Sequence, residues 1–287
     1  MQLSTKISKY IILTAAFMCC IIPAFCQSII DADAKPTVFA PGVISTQADE
    51  FAPTFTPDGK TVYFTGGNTF IFYSIFSDGK WAAPQLVSFS GTWKDMDPFL
   101  SPDGKRLFFA SYRPYEGMPQ DKPQKNDHIW YVDRLSVNSW SAPHHIEAPV
   151  NLAGVSNYSP SVSKFGSLCF SSPARDLNNK GKGYYFKWAG DHYAEPKMLS
   201  LNGAGNVRDP FIAPDERYII FISGHDIYIS YKNGDGWADG QKLGPQVNDG
   251  GANSSPCVSP DGKTLYYSSS NSKGILMVPV NISKNIN

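Results

Sequence analysis

The segment Met96-Asp-Pro-Phe-Leu-Ser-Pro-Asp-Gly-Lys-Arg-Leu-Phe-Phe109 decides the fold, because four related segments occur elsewhere in the chain. They cover residues 51–64, 158–170, 208–221 and 254–267. The leading prolines fall at positions 53, 98, 160, 210 and 256, with spacings of 45, 62, 50 and 46 residues. A four-stranded propeller blade repeats every 40–45 residues or so. The sequence therefore predicts an all-β, five-bladed β-propeller of four-stranded antiparallel blades.

Each repeat also predicts its own strands and turns. In Ser-Pro-Asp-Gly (101–104), proline presets φ, aspartate bonds its own backbone, and glycine accepts a positive φ. The next strand alternates with period two, as in Leu107 and Phe109. A Trp-x-x-Pro pattern at 81–84 and 140–143 marks the outer strand of a blade.

The last repeat ends the chain without an outer strand, and the N-terminal side offers one. Residues 37–46 resemble an outer strand, and Pro41 lies 12 residues before Pro53. We therefore expect an N-terminal strand to join the last blade and close the ring, which removes open sheet edges. The predicted domain boundaries are a linker over 27–36 and a propeller over 37–287.

Residues 1–26 have the pattern of a signal peptide. Lys6 and Lys9 precede an apolar stretch over 10–22, which is short for a membrane span, and small residues lead to cleavage after Cys26. The cysteines at 19, 20 and 26 lack the usual lipoprotein context, so we expect a periplasmic or secreted protein that is neither lipid-anchored nor an integral membrane protein.

Composition excludes several classes of protein. Lys plus Arg and Asp plus Glu both number 25, which gives no attraction for nucleic acid. No zinc spacing, phosphate-binding loop, nucleophile elbow or dinucleotide fingerprint occurs, so we expect no cofactor and no metal. Cys169 and Cys257 map to non-neighbouring blades, which predicts free thiols. We expect a monomer.

Ser-Pro-Asp-Gly-Lys-x-Leu-Tyr-Phe, followed by Asp-Ile-Tyr and Gly-x-Trp, resembles the repeat of TolB-type, WD40-like propellers over about residues 49–280. The resemblance implies the fold and does not select one function. Relatives of this type include periplasmic scaffold proteins, envelope proteins with a peptidoglycan-binding module, and some polysaccharide lyases.

Topology predicts one functional face. In a propeller, the links between blades and the loops between second and third strands emerge at the end opposite the Pro-Asp-Gly turns. Carboxylates, arginines and aromatic rings that converge on a funnel would suit a sugar or a peptide. The candidate ligand-binding residues at this end are Glu50, Trp93, Asp95, Asp97, Arg113, Asn157, Arg175, Arg208, Asp209 and His225.

Two functions remain open at this point. The first is a binding or scaffold module for an envelope protein or glycan. The second is a carbohydrate-active enzyme, a glycoside hydrolase or polysaccharide lyase, with Asp97 and Asp209 as acid and base.

Purely structural roles compete with both functions. An aspartate before proline often caps a turn, and Arg208 is expected to pair with a neighbouring aspartate. His144 and His145 are expected on the surface. A cation held by Asp95, Asp97 and Asp209 would be an oxygen-ligand ion such as Ca²⁺.

Overall fold

The computed structural model describes residues 28–46, 48–137, 139–175, 183–201 and 205–282. The predicted signal peptide lies outside these residues. The described residues form five antiparallel sheets and no α-helix. The predicted five-bladed propeller is confirmed.

The strands follow the repeat in chain order. The first is β1 (Thr37–Val38). Blade one contains β2 (Phe51–Phe55), β3 (Thr61–Gly66), β4 (Phe70–Ser77), β5 (Lys80–Trp81) and β6 (Gln85–Leu86). Blade two contains β7 (Asp95–Leu100), β8 (Arg106–Ser111), β9 (His128–Ser136), β10 (Ser139–Trp140) and β11 (His144–His145). Blade three contains β12 (Tyr158–Val162), β13 (Leu168–Ser171), β14 (Gly183–Phe186) and β15 (Lys197–Met198). Blade four contains β16 (Val207–Ile212), β17 (Tyr218–Ser223), β18 (Asp226–Asn233), β19 (Gly236–Trp237) and β20 (Gln241–Lys242). Blade five contains β21 (Asn253–Val258), β22 (Thr264–Ser269) and β23 (Ile275–Pro279).

The first strand of each blade lies at the centre of the molecule. These strands contact one another in a closed circle, β2 to β7, β12, β16, β21 and back to β2. The second strands are almost wholly buried, as the alternation of large apolar residues predicts. The outer strand of blade one is split, because β5 and β6 both pair with β4 on either side of Pro84.

Blade five takes its outer strand from the N-terminal side of the chain. β1 pairs antiparallel with β23, with Thr37 opposite Met277 and Val38 opposite Leu276. Phe39 follows and packs edge-on against Phe55, Trp81 and Tyr266, so it joins blade five to blade one. The paired segment is shorter than the predicted 37–46, since residues 40–46 form turns.

Cys169 and Cys257 are both buried with free thiols, in β13 and β21. Burial raises the pKa of Cys257 to about 12, so this thiol is not a nucleophile at neutral pH. None of the described residues belongs to a helix long and apolar enough to cross a membrane.

Candidate functional site

A bulge in the first strand of every blade builds a ring around the channel. The residue before each leading proline has a positive φ, between 46° and 53°, and the strand register shifts at that point. A residue before proline normally prefers an extended backbone, so the bulge fixes an uncommon conformation. All five residues line one cavity in the channel, and we call them the channel ring: Ala52, Asp97, Ser159, Asp209 and Ser255.

The side chains two positions before the channel ring do not face the channel. The residue three before each proline is buried and does not line the channel cavity: Glu50, Asp95, Asn157, Val207 and Asn253. Of the predicted carboxylates, only Asp97 and Asp209 therefore reach the channel. The expectation of a cation held by Asp95, Asp97 and Asp209 together is wrong, because Asp95 does not line the channel cavity that Asp97 and Asp209 line. The described residues contain no group of three or more His, Cys, Asp or Glu side chains that could hold a metal ion.

Asp97 and Asp209 lie on either side of Ser159. Ser159 Oγ is 3.1 Å from Asp97 Oδ2 and 3.1 Å from Asp209 Oδ1. The backbone N–H of Ser159 donates to Asp97 Oδ2 at 2.9 Å, and that of Ser255 donates to Asp209 Oδ2 at 3.2 Å. Burial first, and then the charge of Asp209, raise the pKa of Asp97 to about 7. The pair thus joins neighbouring blades and contains a carboxyl that titrates near neutrality.

The cavity at the channel ring is small. Its volume is about 40 Å³, which suits one to a few water molecules rather than a sugar ring. Phe99 and Phe211, with ring centroids 6.0 Å apart, line this cavity and also a larger one of about 470 Å³ at the Pro-Asp-Gly end. The two aromatic rings therefore lie between the channel ring and the opposite mouth.

Three other predicted residues meet in blade two. Arg113 Nη2 forms an ion pair with Asp95 Oδ1 at 2.7 Å, and Ser111 Oγ donates to the same oxygen at 2.6 Å. Both charged side chains are buried, and the Arg113 guanidinium lies over the rings of Phe109 and Trp130. Trp93 and Arg113 line a surface cavity of about 530 Å³.

This cavity, which we call the blade-two pocket, is formed by the loop after β8 and the outer strands of blade two. Tyr115 from the loop stacks almost parallel on His145 from β11, with centroids 4.6 Å apart and an interplanar angle of 9°. The pocket has aromatic, imidazole and carboxylate walls, and its main lining residues are Trp93, Tyr115, Glu116, Tyr131, His144, His145 and Glu147. It shares no lining residue with the channel ring.

A chain of polar groups runs under the blade-two pocket. The carboxylate of Glu147, which is exposed, lies 2.9 Å from His145 Nδ1, and His145 Nε2 lies 2.9 Å from Nδ1 of the buried His128. Burial first, and then His145, lower the pKa of His128 to about 4, so His128 is neutral at pH 7. His144 is exposed, as expected, whereas most of the His145 ring is covered by Tyr115 and Trp130.

Two further predicted residues support loops. Asn157 donates to Asn151 Oδ1 at 3.1 Å, and Asn253 repeats this contact with Asn248 Oδ1 at the same distance, which identifies a scaffold role that recurs in blade five. Glu50 accepts hydrogen bonds from the backbone and hydroxyl of Thr46.

The remaining candidates do not form a common site. Arg175 donates to the carbonyls of Pro149 and Val150. Arg208 donates to the carbonyl of Gly224 at 2.7 Å, so the expected pairing with an aspartate is wrong. His225 is exposed.

Sequence reasoning missed Ser159, His145 and Glu147. Ser159 had a signal, because it occupies the same repeat position as Asp97 and Asp209. His145 and Glu147 had none, because the contact of His145 with Tyr115 depends on how the loop over 112–127 folds.

Comparisons with known proteins find similar structures but no match by sequence. No family model matches the chain, and no curated protein matches it by sequence. An α-L-arabinofuranosidase from Lactobacillus brevis is similar in structure at TM-score 0.57, 14% identity, 83% of this chain and 92% of the other.

Two other solved structures are also similar. A thermostable family-43 glycoside hydrolase gives TM-score 0.56 at 13% identity, over 84% of this chain and 91% of the other. A putative TolB from Agrobacterium tumefaciens gives TM-score 0.49 at 17% identity, over 78% and 71%. At these identities the two structures with TM-scores of 0.57 and 0.56 show a shared fold and no function.

Proposed function

We propose that the protein is a non-catalytic binding propeller of the cell envelope that holds a neutral glycan in the blade-two pocket. The observation that carries the proposal is a substrate-sized pocket in which stacked rings meet two exposed carboxylates, those of Glu116 and Glu147.

The walls of the pocket have the chemistry that a sugar requires. The negative face of an aromatic ring attracts the polarised C–H groups on one face of a pyranose. Carboxylates accept hydrogen bonds from sugar hydroxyls. Arg113 is already neutralised by Asp95 at 2.7 Å, so the two exposed glutamates make the pocket unfavourable for acidic sugars.

The pocket is also built to keep its shape. Tyr115 is held by the stack on His145, and its carbonyl accepts a hydrogen bond from Gln120 Nε2 at 3.1 Å. Arg113 donates to Ser111 Oγ and to the carbonyl of Phe89. A prearranged wall lowers the entropy lost on binding.

The proposal includes location in the cell envelope, which the signal-peptide pattern at 1–26 supports. Export would place the pocket among extracellular or cell-wall glycans. Tagging the full chain and fractionating cells tests this point, since recovery in the cytoplasmic fraction would contradict it.

The experiment is a glycan array with the mature protein, followed by calorimetric titration of the best neutral oligosaccharide. We expect Trp93→Ala and Glu147→Gln each to weaken binding by about tenfold or more, which corresponds to about 1.4 kcal/mol or more. Phe165→Ala is the matched control, because Phe165 is an exposed aromatic residue (58% exposed) in the blade-three turn. Binding that survives both pocket variants but is lost when the Pro-Asp-Gly turns are altered would place the ligand at the other face.

The second candidate function is glycoside hydrolysis or polysaccharide lysis at Asp97 and Asp209. The observation in its favour is that both carboxylates approach one hydroxyl at 3.1 Å, so the nearest oxygens are separated by at most twice that distance.

The small space beside the pair, about 40 Å³, opposes that function, because a sugar ring does not fit there without movement of the channel ring. A reducing-sugar assay, with absorbance for unsaturated products, decides between the two candidates. Release of product that disappears in Asp97→Asn would replace the binding proposal with the enzyme.

A further inference from the structure

The channel ring offers one hydroxyl proton to two carboxylates. Ser159 Oγ lies at hydrogen-bond distance from both Asp97 and Asp209, and a hydroxyl donates only one hydrogen bond. If both carboxyls were ionised, one of them would face a lone pair of Ser159 with no proton between. We propose that Asp97 and Asp209 hold one extra proton between them at neutral pH, and that its loss weakens the junction of blades two, three and four.

The neighbouring donors show how the pair can share one proton. Asp97 Oδ2 lies within hydrogen-bond distance of the N–H and the hydroxyl of Ser159. Asp209 Oδ2 accepts the Ser255 N–H, and Asp209 Oδ1 lies 3.1 Å from Ser159 Oγ. With one extra proton in the pair, one carboxyl donates to Ser159 Oγ while the Ser159 hydroxyl donates to the other, so that each of the two hydrogen bonds contains one proton.

The surrounding charges favour retention of the proton. Asp209 and Asp127 both act on Asp97 and raise its pKa, after the larger effect of burial. Tyr158 is neutral, since burial raises its pKa to about 12. Arg208 is directed to the Gly224 carbonyl, and among the described residues no Lys, Arg or His forms an ion pair with Asp97 or Asp209.

The sign of the pH effect follows from linkage. The folded state retains the Asp97 proton up to about pH 7, whereas an unfolded aspartate releases it near pH 4. Between these values the folded state binds more protons, so this group favours folding most at low pH and its contribution is lost as pH rises towards 7. The proposal does not depend on the glycan proposal, because the two sites share no residue.

Asp209→Asn is the sharpest test. Its amide oxygen can accept the Ser255 N–H, and its Nδ2 can donate to Ser159 Oγ, so the serine proton can go to Asp97 and the charge of Asp209 no longer raises the pKa of Asp97. Asparagine also tolerates the positive φ of 46° at this position. We expect the melting temperature of the variant to rise by several degrees relative to the parent between pH 5 and pH 8.5. If the melting temperatures of the variant and the parent change with pH by the same amount, the proposal is overturned. The matched control is Asp121→Asn, because Asp121 is an exposed carboxyl in the loop over 112–127.

Two further measurements keep the test decisive if Asp209→Asn does not fold. In a ¹³C NMR titration of the parent, the aspartate signal that is absent from Asp97→Asn should titrate near pH 7, and titration below about pH 5 would contradict the proposal. Melting curves at pH 8.5 with EDTA or with CaCl₂ should coincide. A calcium-dependent rise in the parent alone would show that a cation, rather than a proton, neutralises the pair.

Discussion

A single backbone angle decides what a side chain reaches at the centre of this propeller. Asp95 and Asp97 are two residues apart in one strand, and regular alternation would place them on one face of the sheet. The bulge at Asp97 changes this, so that Asp97 faces the channel and Asp95 pairs with Arg113 under the blade-two pocket. Sequence could name both residues, but not separate their sites, because a proline inside a strand indicates a bulge without showing which way the preceding side chain turns.

His128 gives a prediction for acidic pH. Its pKa is lowered to about 4, against 6.5 for the free side chain, so the unfolded chain binds this proton first as pH falls. The contribution of His128 to stability is present above pH 6.5 and is lost as pH falls towards 4, by at most roughly 3 kcal/mol. We expect His128→Phe, which keeps the ring contact with Tyr115, to lose less stability between pH 7 and pH 4.5 than the parent does.

Urea unfolding at the two pH values measures this change, with His192→Phe as the exposed control. Equal losses in the parent and His128→Phe would contradict the assignment. The effect is opposite in sign to that of Asp97, so each is measured as a difference between variant and parent.

At the scale of elements, the turn of blade four departs from its repeat and makes a new contact. Gly59, Gly104 and Gly262 have φ between 69° and 73° in the equivalent turns, whereas blade four has Glu216 at 59°. The Glu216 carboxylate accepts hydrogen bonds from Ser163 at 2.7 Å and Tyr185 at 3.3 Å, both in blade three. The contact between blades offsets the backbone cost of a non-glycine residue there.

Two substitutions at position 216 separate the backbone cost of the positive φ from the contribution of the hydrogen bonds to blade three. Glu216→Ala keeps the unfavourable φ and loses the contact, while Glu216→Gly loses the contact and relieves the backbone. We expect the glycine variant to be more stable than the alanine variant by about 1 kcal/mol. Thermal unfolding of the two proteins measures the difference, and an alanine variant as stable as the glycine variant would refute this account of the turn.

The closing strand β1 is the second element with a testable role. Phe39 contacts Phe55, Trp81 and Tyr266 across the junction of blades five and one. Phe39→Ala should cost roughly 3–5 kcal/mol, as large-to-small core changes do. Val43→Ala is the matched control, since Val43 lies nearby and is 36% exposed. Chemical denaturation that gives the same loss for both variants would show that the closing segment does not stabilise the ring.

At the scale of the whole molecule, periodicity predicted far more of the fold than of the site. The prolines at 53, 98, 160, 210 and 256 gave the number of blades, because each repeat must bury the same apolar face against its neighbours. The site depended on a long loop whose path is not periodic. That loop brings Tyr115 onto His145 at the outer edge of blade two, whereas topology alone had placed it around the channel mouth.

The position of a bound glycan tests the central claim most directly. A crystal structure of the mature protein soaked with the neutral oligosaccharide selected on the array should show a sugar ring against Tyr115 and Trp93, with hydroxyls directed to Glu116 or Glu147. The channel ring should keep its contacts around Ser159. A sugar found instead at Asp97 and Asp209, with its glycosidic oxygen directed at either carboxylate, would contradict the account and support the enzyme.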